Sequence, residues 1–154
     1  MKTFMRAAIA EAEKGLRKQD GGPFGAVIVR DGKIIARAHN EVVKNSDPTC
    51  HAEIQAIRKA SKRLKRFELS DCEIYSSCEP CPMCLAAVYW ARIPRLFFGA
   101  TRDDAAAIGF DDAKIYAAFA GKLRKGSIAK KQIARKDCLK PFQTWQNSKS
   151  KIAY

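Results

Sequence analysis

The chain has no apolar run of membrane-spanning length, so a helical transmembrane protein is excluded. Residues 1–16 carry Lys2, Arg6, Glu11, Glu13 and Lys14 among their alanines, and the uninterrupted apolar core of a signal peptide is therefore missing. There is no internal repeat and no low-complexity tract, which argues against a repeat array or a linker-like chain. Acidic residues are in deficit, 16 against 29 lysines and arginines, giving a net charge of +13 and a pI near 9.7. Such a balance opens the question of nucleic acid. Arg58, Lys59, Lys62, Arg63, Lys65 and Arg66 form one basic run without an interleaved aromatic. A second run, of Lys122, Arg124, Lys125, Lys130, Lys131, Arg135, Lys136 and Lys140, is opposed only by Asp137 and meets no aromatic before Phe142. Stacking platforms for bases are thus absent from both, and solvated faces are favoured over a nucleic-acid track.

What is present points to one compact domain over residues 1–154, with 47% hydrophobic residues to fill its core. Six cysteines, two of them three apart beside prolines, read as metal chemistry in a reducing cytoplasm and not as a disulfide framework. Residues 3–17 place Phe4, Ala7, Ala8, Ile9 and Leu16 near one side at helical spacing. Phe24-Gly25-Ala26-Val27-Ile28-Val29 has the β-branched content of a buried strand, and Asp31-Gly32 is a two-residue hairpin turn into a partner strand over residues 33–38. Residues 40–47 read as a loop. Asp47-Pro48 then reads as the start of a helix, with His51 in its first turns and Ala52, Ile54, Ala56, Ile57, Ala60 and Leu64 on its inner face. A strand around Cys72, Ile74 and Tyr75, a helix from Pro82 to Trp90 stopped by Pro94, and an apolar strand over residues 96–100 make a parallel crossover. Residues 101–112 form an acidic island, 113–120 a helix, 128–138 a short strand or loop, and 141–145 the opening of a last helix.

Chemistry gathers at His51-Ala52-Glu53 and Cys78-Glu79-Pro80-Cys81-Pro82-Met83-Cys84. Cys81 and Cys84 share a helical face, and His51 can close a three-ligand site that leaves one position of a tetrahedral zinc open, the mark of a catalytic metal. Glu53, two residues from the histidine, suits a proton-handling group better than a ligand. The bland alternative is a closed structural zinc with Cys78 as fourth ligand, which would leave Glu53 idle. Cys50, Cys72 and Cys138 read as small buried apolar residues.

His51-Ala52-Glu53 with Pro80-Cys81-Pro82-Met83-Cys84 resembles the cytidine deaminase superfamily. Gly21-Gly22-Pro23-Phe24-Gly25-Ala26-Val27, residues 45–49, Gly109-Phe110-Asp111-Asp112 and the terminal Tyr154 are similar to the bacterial guanine deaminases of that fold. The resemblance implies an α/β protein, a three-layer α/β/α sandwich around a central mixed sheet of about five strands. It implies one zinc per subunit on His51, Cys81 and Cys84, and hydrolytic deamination of guanine at C2 with Glu53 shuttling protons. Asp112 is implied to read the donor edge of the purine and assist proton movement, with Asp111 as its competitor. Asn40 and the Ala52 amide are the implied polar partners, Phe24 and Trp90 the aromatic walls, and Tyr154 a further contact. A homodimer exchanging its C-terminal segment is implied as well. A tRNA adenosine deaminase, a guanosine deaminase and a non-enzymatic zinc module that binds nucleic acid are the rival readings.

Overall fold

The computed structural model describes residues 2–122, 128–150 and 152. One helix covers one face of a sheet and two helices cover the other. The elements run α1 (Lys2–Lys18), β1 (Gly25–Arg30), β2 (Lys33–His39), α2 (Val42–Asn45), α3 (Ala52–Leu64), β3 (Cys72–Cys78), α4 (Pro82–Trp90), β4 (Arg95–Ala100), α5 (Arg102–Ala107), α6 (Ala113–Phe119), α7 (Arg135–Cys138) and α8 (Lys140–Asn147). The sheet order is β2-β1-β3-β4, with β1 antiparallel to β2 and β3, and β3 parallel to β4. Among the described residues there are four strands, not the expected five, because residues 128–134 stay irregular and residues 135–138 are helical.

The alternation of side chains along a strand sorts the two cores. Val27, Val29 and Tyr75 face α1, where Ala8 completes a cluster with Phe4 and Met5. Ala26, Ile28 and Ile74 face the other way, against Ala52, Ala56 and Ala60 of α3 and Val88 of α4. The three-layer architecture follows from this division. Asp31 and Gly32 turn the hairpin at φ of 49° and 69°, the left-handed pair that a tight two-residue turn demands.

Two expected faces are rearranged. In α1 the buried residues are Ala8, Glu11, Ala12 and Gly15, while Ile9 and Leu16 are about half exposed. The reason is close approach: α1 lies so near the sheet that small residues and one paired glutamate fit where branched chains would not. In α3 Glu53 joins Ala52, Ala56 and Ala60 inside, and Ile54 is only partly buried. The helix also starts later than Asp47-Pro48 announces. Asp47 uses its Oδ1 to accept from the Thr49 amide and hydroxyl, both at 2.7 Å, a local turn that competes with helix nucleation.

The basic run on α3 has structural work. β2 is an edge strand, and Lys59 donates to the Arg37 carbonyl at 3.2 Å while Arg63 donates to the Ile35 carbonyl at 3.0 Å. These charges cover edge groups that would otherwise invite another strand. No helix among the described residues is long and apolar enough to cross a membrane.

Gly25 marks the tightest contact in this packing. A Cβ there would overlap the Ala8 carbonyl oxygen and stand 2.5 Å from the Ala12 nitrogen. Gly25→Ala is expected to lower unfolding free energy by about 3 kcal/mol, as overpacking against backbone does. A urea titration checks this: the midpoint should fall with the slope unchanged.

Candidate functional site

One end of the sheet carries the site. In the register Gly25 stands opposite His39, Ala26 opposite Ser76, and Cys78 opposite Ala100, so the start of β1 and the ends of β2, β3 and β4 open together. From that end the chain enters α3 at His51 and α4 at Cys81, each as N-cap in extended backbone and neither using its side chain to cap. Pro82 at the first position of α4 fixes the entry. The two freed side chains meet. His51 Nδ1 lies 3.6 Å from Cys81 Sγ and 3.5 Å from Cys84 Sγ, and the three donor atoms fall within 4.8 Å of one another.

This donor set fits zinc: one imidazole nitrogen and two sulfurs, closely grouped at two helix N-termini whose positive ends favour thiolate. The Cys84 thiol donating to it, with His51 beside it, pulls the Cys81 thiol down to about 4, while the same pairing and burial push Cys84 up. Together the two sulfurs hold one proton readily and release the other. The hydrogen bond to Cys81 raises His51 above its usual value. Cys78 stands apart. Its thiol is pushed up to about 11 by burial, points to the Thr101 carbonyl at 3.5 Å, and is outside the donor group, so Cys78 does not supply a fourth ligand.

Glu53 is 5% exposed, and its Oε1 accepts from the Ser76 hydroxyl at 3.0 Å while the Cys84 thiol lies 3.5 Å from Oε2. Burial raises its carboxyl above the ordinary range. Beside it opens a cleft of about 750 Å³, which reaches from His51, Glu53 and Cys81 to Asn40, Phe24 and Asp112. This is the size of a small-molecule site.

The expected site residues separate clearly. His51, Cys81, Cys84 and Glu53 converge, and Phe24, Asn40, Asp111 and Asp112 line the cleft. Asn40 is 4% exposed and its Oδ1 accepts from the Gly22 and Val42 amides at 3.3 and 3.1 Å. Ala52 is fully buried at the first position of α3. Asp112 is raised by burial and then by the Cys81 charge, with Arg102 acting against both. Asp111 is exposed and its Oδ1 is taken by the Ala113 amide at 2.8 Å.

Trp90 corrects the expectation. It is 67% exposed at the last position of α4, about 12 Å along the helix axis from its start, and it does not line the cleft. Phe110 stands there instead, edge-on to Phe24 with ring centroids 4.9 Å apart at 88°. The Gly109-Phe110-Asp111-Asp112 motif carried that signal. Ser76 carried none, since a serine in a strand looks like any outward polar residue. Tyr154 lies outside the described residues.

Residues 1–100 match the model of the cytidine and deoxycytidylate deaminase zinc-binding region, and the chain belongs to that family. It is 48% identical over 152 residues to the guanine deaminase of Bacillus subtilis, covering 99% of this chain and 97% of that protein. The X-ray structure of a B. subtilis guanine deaminase superposes with a TM-score of 0.94 at 48% identity, over 99% of this chain and 98% of that one. The tRNA-specific adenosine deaminase of Aquifex aeolicus is 43% identical over 97 residues, 63% of this chain and 64% of that protein.

Metal analysis separates the sulfurs. Cys84→Ser should drop zinc far below one per chain after dialysis against a weak chelator, whereas Cys78→Ser should keep the full complement. Zinc lost from Cys78→Ser would restore the four-ligand site.

Proposed function

We propose that the chain hydrolyses guanine to xanthine and ammonia, in one domain that spans residues 1–154. The observation that carries this reading is the buried Glu53 carboxyl at the edge of the cleft, held by the Ser76 hydroxyl and the Cys84 thiol beside the His51, Cys81 and Cys84 donors. Likeness along nearly the whole chain to a guanine deaminase, against 97 residues for a tRNA deaminase, supports guanine as the ring.

His51, Cys81 and Cys84 would hold zinc, whose Lewis acidity would lower the pKa of a water from about 15.7 to about 7. Glu53 takes the proton that this water sheds. Ser76 holds Oε1, while Oε2 meets only the Cys84 thiol at 3.5 Å and is the oxygen that moves protons, and burial keeps the carboxyl acid-competent after it is loaded. Glu53 passes that proton to ring N3 as the water oxygen bonds to C2, then takes the second proton from the new C2 hydroxyl and delivers it to the amine, and the C2–N bond breaks to give ammonia and the C2 oxo group of xanthine. Asp112 accepts from N1–H and the 2-amine at the donor edge of guanine and assists proton movement. Asp111 is the weaker choice because its carboxylate already holds the turn into α6. Asn40 offers its amide to the ring edge, the Ala52 backbone amide adds a donor at the helix terminus, and Phe24 with Phe110 clasps the ring. The thiols of the metal set need a reducing compartment, which the cytoplasm supplies.

A homodimer belongs to the same reading. Phe119, Ile128, Ile133, Phe142, Trp145 and Ile152 are all exposed in the C-terminal third, large apolar side chains of the kind an interface covers. A partner subunit that receives this segment, with Tyr154 closing the cleft, would bury them.

An ammonia-release screen over guanine, guanosine, adenine, cytosine, cytidine and a tRNA anticodon stem tests the substrate. Guanine should turn over fastest, with little dependence on salt; steep salt dependence on the tRNA stem would favour the RNA-editing alternative. Glu53→Gln should keep zinc and lose at least about a hundredfold in turnover. Removing residues 150–154 should sharply reduce activity, and unchanged kinetics would free Tyr154 of a role.

A further inference from the structure

Behind the wall of the cleft that faces away from the metal donors sits a second cluster of ionisable groups, centred on His39. The imidazole is 4% exposed. Its Nδ1 lies 3.3 Å from Glu11 Oε2 of α1, and its Nε2 lies 2.7 Å from Asp20 Oδ2 and 3.8 Å from Glu41 Oε1. Lys14 faces Glu11 at 3.4 Å, and Lys44 faces Glu41 at 2.7 Å and Asp20 at 4.0 Å. Gln55 of α3 donates to the other Glu41 oxygen at 2.7 Å. Gly15 leaves the room this ring needs, since a Cβ there would come within 2.9 Å of its Cδ2. Helix α1, the turn at Asp20 and the loop at Glu41 thus meet at one side chain, and α3 joins them through Glu41.

Two of the groups it gathers sit beside the backbone donors that fix Asn40. Gly22 follows Asp20 by two residues, Val42 follows Glu41 directly, and both donate to Asn40 Oδ1. With its oxygen turned to the backbone, the amide presents its NH₂ end to the ring. A donor there selects an oxo group and rejects an amine.

We propose that His39 is a positioning residue for substrate selection, holding Asp20 and Glu41 so that the Gly22 and Val42 amides lock Asn40 as a donor toward purine O6. This rests on the reading of the cleft as a guanine site. His39 touches no substrate; its effect passes through the orientation of one amide. If its partners loosen, Asn40 can turn its carbonyl to the cleft, where an amine at position 6 becomes acceptable.

The test compares zinc-loaded wild-type protein with His39→Leu on guanine and on 2,6-diaminopurine, which keeps the 2-amine and exchanges O6 for an amine. The preference for guanine, read as the ratio of kcat/KM for guanine to that for 2,6-diaminopurine, should fall about tenfold, mostly through a higher KM for guanine, as expected when one buried hydrogen-bonding group loses its orientation. Lost folded protein scales both substrates alike and leaves the ratio where it was. His39→Gln, whose amide can still donate to Asp20, should recover most of the ratio. Should His39→Leu fail to fold, Asp20→Asn reads the same ratio in a chain of nearly unchanged shape. An unchanged ratio in every soluble variant, with wild type active on guanine, overturns the role of His39 alone. A wild-type protein active on neither ring overturns the guanine reading and this assignment with it.

Discussion

Two helix entries with uncommitted N-caps organise the molecule. An N-cap side chain ordinarily accepts a hydrogen bond from the first turn of its own helix. His51 and Cys81 do not, and each sits in extended backbone that aims its side chain outward from the helix end. Because α3 packs across one face of the sheet and α4 returns from β3 on the same side, the two ends converge. Cys84, three residues into α4, completes the set from the same face. The positive ends of both helices then act on the same small volume, which adds to the effect of His51 in stabilising thiolate.

The opposite wall is built from different material. The turn before β1 and the loop after β2 are irregular, yet they must hold Phe24 and Asn40 still. They do so by backbone pairing: Asn40 N–H donates to the Phe24 carbonyl at 3.0 Å, and Glu41 N–H to the Cys50 carbonyl at 2.9 Å. Gly21 keeps clear of Asn40 Oδ1, the atom that a side chain there would displace. A loop fastened at both ends in this way can carry recognition without the precision lost by a free one.

Much of this was legible in the sequence because periodicity and ligand spacing are local. The β-branched run in residues 24–29, the Asp31-Gly32 turn and the Cys81-Cys84 interval each report on a single element. The misreadings came where two elements meet. Ile9 and Ile54 look like core residues on a helical wheel, but the depth of each helix against the sheet decides that Glu11 and Glu53 go inside instead. Asp47-Pro48 has the composition of a helix start, and its side chain closes a local turn first. Trp90 has the size and type of a pocket wall; only the length of α4 places it at the far end from the metal donors. No residue pattern carries those distances.

Glu11 and Glu53 sharpen the distinction between structure and chemistry. Both are nearly buried, at 8% and 5% exposure, and both arise from helices pressed on the sheet. Glu11 has a lysine on one side and an imidazole on the other, a set that compensates a carboxylate. Glu53 has a serine hydroxyl and a thiol, neither of which brings positive charge. Burial outweighs the nearby His51 charge and disfavours the ionised form, and an acid that can be loaded and unloaded is the consequence. A fold seeking only stability would pair that group or replace it with an apolar residue. Its retention against the metal donors, in a wall open to the cleft, is what a proton shuttle requires.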